Sequence, residues 1–175
     1  MKRKLLAIIA AIIVAAVVIP VNAKGRLFKE MSNVKGCTSV YVGEAVLRVA
    51  GDSKIMGETG GVNFNKLAKK VSYLEIVTCE NPEFTKDVIA KASDIVSNIK
   101  DLEIITEVSE SSSNADSPTN IVIYYRPIKD TEFMDLLLIT IDSNESPVYV
   151  AIHGCFTMDD ITAAISDDSD EDVAE

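Results

Sequence analysis

The one histidine, His153, falls in the alternating set Tyr149, Ala151, His153 and Cys155. A histidine two residues from a cysteine invites the reading of a thiol activated by a general base. That chemistry requires the two groups within hydrogen-bond reach and a third group to orient the ring, whereas residues two apart on a strand stand about 7 Å apart along it. The pattern therefore supplies no catalytic set, and His153 is read as a residue on an open sheet face or at a strand end. A metal centre is excluded on similar grounds. There is no Cys-x-x-Cys, and Cys37, Cys79 and Cys155 lie 42 and 76 residues apart, which is not a zinc spacing.

The acidic residues raise two further possibilities. Asp142, Asp159 and Asp160 fall near predicted strand and helix ends, where paired carboxylates can do acid–base work. Asp159 and Asp160 are equally explained as favourable charges at a helix N-terminus. The run Asp167 to Asp172 resembles a calcium loop but has neither the glycine at position six nor the glutamate at position twelve that such a loop needs. Gly57 to Gly61 precedes a helical pattern, yet it lacks the Gly-Lys-Ser/Thr of a phosphate loop, and Glu58 would repel the anion. No cofactor is implied by any of these.

The elements that would position such residues follow from periodicity. Leu27, Phe28, Met31 and Val34 mark a short amphipathic piece, Thr38 to Val42 a strand, and Gly43 to Ala50 a helix. Gly51 to Gly61 is a polar, glycine-rich loop, Asn63 to Lys70 a short helix, and Tyr73 to Cys79 a second strand. Pro82 to Lys100 is the longest helix, capped by Asn81, with Phe84, Val88, Ile89, Ala92, Ile95, Val96 and Ile99 as its apolar stripe. Four β-type runs follow, Leu102 to Val108, Asn120 to Arg126, Phe133 to Asp142 and Val148 to Phe156. Short polar connectors make them antiparallel neighbours, with Ser109 to Thr119 as a Ser-rich tip. Thr157 and Asp160 form a capping box for a last helix through Ile165. This order predicts an α+β fold, a two-layer sandwich with helices packed on one face of a mainly antiparallel sheet. The run Phe133 to Asp142 is apolar on both alternating sets, so one set would be left open. Leu136, Leu138, Tyr149 and His153 are the candidate partner-binding residues on that open face.

The start of the chain sets the compartment. Lys2, Arg3 and Lys4 precede an unbroken apolar run from Leu5 to Ile19 and then Pro20 to Ala23. That is the build of a secretory signal peptide cut after Ala23. No anchor would remain after cleavage, because the 15-residue apolar run is short for a membrane span and no cysteine stands at the cut. The remainder is a single domain, residues 24–165, and an acidic tail, 166–175, with six acids in ten residues that should be disordered. Without residues 1–23 the chain holds 14 basic against 27 acidic residues, a net charge of −13. A nucleic acid or an anionic lipid surface is disfavoured as a ligand by that balance. In an oxidising compartment the three cysteines allow at most one internal disulfide, and spacing alone leaves all three pairings open.

The segment Gly36-Cys37-Thr38-Ser39-Val40-Tyr41-Val42-Gly43-Glu44-Ala45-Val46-Leu47-Arg48 resembles exported bacterial proteins known as domain of unknown function 4252. Leu74 to Glu80, Ile123 to Arg126, Leu136 to Ile139 and Gly154 to Ile161 resemble that family in the same order. The resemblance implies a small secreted or periplasmic α+β protein of Gram-negative gut-type bacteria, with no assigned activity to carry over. It also implies genes beside extracytoplasmic-function sigma and anti-sigma factors, an association with envelope signalling rather than a mechanism. The expected role is a non-catalytic exported protein that binds an envelope or signalling partner. A small-molecule or lipid-binding module is the alternative, and an enzyme the second alternative.

Overall fold

The computed structural model describes residues 26–52, 67, 69–110 and 119–165. The expected signal peptide, the Gly57 to Gly61 loop, most of the Asn63 to Lys70 helix, the centre of the Ser-rich tip and the acidic tail lie outside those residues. Six strands form one sheet: β1 Cys37–Gly43, β2 Val71–Cys79, β3 Glu103–Glu110, β4 Thr119–Pro127, β5 Met134–Ser143 and β6 Val148–Phe156. Their order is β1-β2-β6-β5-β4-β3, and every neighbouring pair is antiparallel. The last four strands are the expected meander. What closes the sheet is the crossover from β2 to the far edge, after which the meander returns and lays β6 against β2, with Thr78 opposite Val148.

A short 3-10 turn, Lys29–Asn33, precedes β1, and the helices given whole among the described residues are α1 Glu44–Asp52, α2 Thr85–Ser97 and α3 Met158–Ile165. Strand periodicity splits the core into two. On the first face, Val42, Leu74, Ile76, Leu137, Val148, Ile152 and Phe156 pack with Leu67, with Leu47 of α1 and with Ile161 of α3. On the second, Val77, Cys79, Leu136, Leu138, Tyr149 and Ala151 pack with Phe28 and Met31 of the 3-10 turn and Val88 and Ala92 of α2. The α+β class holds, but helices lie on both faces instead of one. The reason is visible in β5, whose two alternating sets are both apolar and both need cover.

Two helix ends show how local chemistry sets the boundaries. Asp160 N–H donates to Thr157 Oγ1 (3.3 Å) and Thr157 N–H donates to Asp160 Oδ2 (2.9 Å), the reciprocal capping box expected at α3. At α2 the helix begins at Thr85, three residues past Pro82. Asn81 heads a turn instead of capping the helix: its carbonyl accepts the Phe84 N–H (3.1 Å) and its side chain accepts the Glu83 N–H (3.0 Å).

Candidate functional site

Glu75 stands in the centre of β2 between Leu74 and Ile76 with no exposed surface. A buried carboxylate is tolerated only when its lone pairs are filled. Here Leu27 N–H donates to Oε1 at 2.7 Å and Phe28 N–H to Oε2 at 3.0 Å, and the Arg26 guanidinium lies 3.9 Å away. Burial still pushes the Glu75 carboxyl above its ordinary range, against the pull of those donors. The carboxylate thereby fastens the segment leading into the 3-10 turn onto the second face of the sheet.

Beside it runs a ledge of rings. Antiparallel pairing sets Gly43 opposite Tyr73, Tyr73 opposite His153, His153 opposite Leu136, and Leu136 opposite Arg126. Tyr73 and His153 stack at 4.1 Å between centroids and 18°, Tyr41 stacks on Tyr73 at 5.5 Å and 29°, and the Arg26 guanidinium sits 5.1 Å from the Tyr41 ring. At the other end Arg126 donates to both oxygens of Asp135, at 2.7 and 2.9 Å. A β-bulge at this point in β5 accompanies the pair. Tyr41, Tyr73, His153 and Arg126 are all half-buried.

The ledge is poorly suited to acid–base work. His153 is held neutral, its pKa lowered to about 4 by burial and then by the Arg126 charge. Its Nε2 is buried without a hydrogen-bond partner. Burial also pushes the Tyr73 phenol well up. Cys155, the thiol nearest in sequence, is exposed. Among the described residues no three acids, histidines or cysteines cluster as metal donors. What remains is an aromatic strip bounded by two guanidiniums that are already engaged, Arg26 by Ser39 and Glu75 and Arg126 by Asp135, so what it offers a ligand is its rings.

The sequence-derived candidates separate. Leu136 and Leu138 are fully buried and Tyr149 is 1% exposed, its ring 5.9 Å from Phe28 and its hydroxyl donating to Asp142 at 2.8 Å. These three are core beneath the 3-10 turn and α2, so the part of the face on which they stand is not open. Only His153 reaches a half-exposed position. Asp160 serves as a cap and pairs with Lys70 at 2.7 Å, Asp142 holds Tyr149, and Asp159 is exposed in the first turn of α3. Tyr41, Tyr73, Arg26 and Arg126 escaped the sequence reading because strands far apart in the chain assemble them. Glu75 left one signal, an acid inside the apolar run Leu74 to Val77.

Among solved structures, a Pseudomonas aeruginosa protein of unknown function, described as a candidate regulator, is similar over 53% of this chain and 64% of its own length. Identity is 9% and the TM-score 0.29, too slight a likeness to bear on fold or role. No curated protein sequence is significantly similar. Among the described residues no helix is long and apolar enough to cross a membrane. The family model for the domain of unknown function DUF4252 matches residues 28–164, from the turn that Glu75 holds to the end of α3. The chain therefore belongs to the DUF4252 family.

Proposed function

We propose that this chain is an exported, non-catalytic binding protein, and that the ledge of Tyr41, Tyr73 and His153 receives a segment of an envelope protein partner. The observation that carries the reading is the half-exposed three-ring stack ended by Arg26 and Arg126 in a chain of net charge −10. Stacked rings take up flat or aliphatic side chains without ordering long flexible groups. The segment that fits is one presenting a flat or apolar side chain. Export rests on residues 1–23, whose basic start, apolar run and small residue at the cut are the parts a signal peptide needs.

The test is fractionation of cells making the natural chain, followed by photocrosslinking from position 41 and, as a control, from exposed Lys129. The expected result is protein in the exported fraction without residues 1–23, and a discrete adduct from position 41 that Arg126→Ala removes. Retention in the cytosol with Met1 attached overturns the export half. Adducts that do not differ between the two positions overturn the ledge.

A second reading, a module for an apolar ligand, is favoured by the first face, where Val40, Ile123, Ile141 and Val150 remain only partly buried. Displacement of a fluorescent fatty acid by the purified domain would separate it from the first reading.

A further inference from the structure

We propose that Cys37 and Cys79 close a cross-strand disulfide, tying the start of β1 to the end of β2, when the chain meets a disulfide donor. Cys37 is the direct antiparallel partner of Cys79, and both side chains belong to the second-face core. The kind of pairing matters. Cys37 N–H donates to Val34 O and Cys79 N–H to Pro147 O, so neither backbone donor points across the pair. Cys37 and Cys79 are thus a non-hydrogen-bonded pair, the arrangement in which opposed Cα atoms come within about 4.5 Å. That separation falls inside the roughly 4.4 to 6.8 Å that a disulfide spans. The two thiols, both free in this structure, are near enough for Cys79 to raise the Cys37 thiol, while the Cys79 thiol donates to the Asn81 carbonyl at 3.5 Å.

The other pairings are excluded by distance. Cys155 lies at the far end of β6, where Gly154 opposes Val71, whereas Cys79 lies beyond the Thr78–Val148 pair. Seven strand positions separate those two ends, more than about 20 Å at strand rise. Cys155 is left as an exposed thiol.

The exchange balances in two steps. The Cys37 thiolate, on the more accessible of the two residues, attacks one sulfur of the donor disulfide and releases one donor thiol. Cys79 then loses its proton and attacks the Cys37 sulfur of the mixed disulfide, releasing the second donor thiol. Two electrons and two protons pass to the donor, and one S–S bond is exchanged for another. Burial and the neighbouring Cys79 push the Cys37 thiol up to about 11, so the folded protein reacts slowly and closes the bridge faster while folding.

In a cell this bridge rests on the export reading, so the test is done on purified full chain, where the two stand apart. The protein is refolded with reduced and oxidised glutathione, alkylated under denaturing conditions, digested without reduction and mapped by mass. The expected result is one linked peptide pair, Cys37 to Cys79, with Cys155 alkylated. Cys155→Ser should keep the bridge, and reduction should lower Tm by about 5–10 °C for the 41-residue loop it closes. Three alkylated thiols after equilibration, or a bridge that includes Cys155, overturns the inference. If the bridge forms in the tube while cells hold the protein reduced in the cytosol, the pairing stands and the export reading fails.

Discussion

Glu75 and His153 face the same side of the sheet and respond to protons in opposite senses. The carboxylate of Glu75 satisfies two backbone donors, so Glu75→Ala would strand the Leu27 and Phe28 N–H groups beside a cavity. The expected cost is about 2–4 kcal/mol, with faster hydrogen exchange at Phe28, while Glu75→Gln should cost less because one acceptor survives. Chemical denaturation and amide exchange check both. His153 folds with a pKa of about 4 against 6.5 when free, so between those values the unfolded chain binds a proton that the folded one refuses. Stability should accordingly fall as pH drops from 6.5 towards 4, by about 1–2 kcal/mol once partial exposure is discounted. Glu75, its pKa raised, works the other way, the folded state keeping its proton above the ordinary carboxyl range. A widening gap between wild type and His153→Phe as the pH falls is the expected result, and parallel curves would sink it. His153 was visible in the sequence as the one histidine, but its neutrality was not, since it follows first from burial in the assembled sheet and then from Arg126, which reaches it only across β5.

The elements were legible where a single period dominated. β6 runs Val148–Phe156, the range its pattern predicts, and the capping box placed the start of α3. Side assignment was not legible, because a strand apolar on both sets does not say how many layers cover it. The start of α2 was displaced because the Asn81 turn competes with the helix for Pro82 to Phe84. Two segments that carry the family resemblance have plain mechanical reasons for their glycines. A Cβ on Gly154 would sit 2.2 Å from Lys70 O, the carbonyl that accepts Cys155 N–H at 3.0 Å. Gly154→Ala should therefore cost more than about 2 kcal/mol and loosen the joint between β2 and β6, seen as a lower Tm and faster exchange at Cys155. Gly36 needs φ of +82°. Thr157→Ala removes one half of the capping box and should cost about 1 kcal/mol, read from denaturant midpoints.

At the scale of the molecule, the free edges of the sheet decide how it meets its own copies. β3 is an edge strand with Ile104, Ile105 and Val108 exposed, an arrangement prone to pairing with another chain. It is blunted by a bulge between Ile104 and Thr106 and by Glu103 and Glu107 on the same strand. Glu107→Val should raise self-association in sedimentation velocity, whereas an unchanged sedimentation profile would show that the bulge alone protects the edge.

If the chain is exported as proposed, the grip of Glu75 on Leu27 and Phe28 also constrains the order of events during secretion. Only three residues, Lys24 to Arg26, separate the expected cut after Ala23 from the first amide that the carboxylate holds, a reach of about 10 Å at full extension. A polypeptide still threaded through the translocase has too little slack to seat that amide in the middle of a sheet. On the exported reading, peptidase release precedes the final docking of the amino-terminal turn, and the freshly freed end is the last piece of the domain to lock.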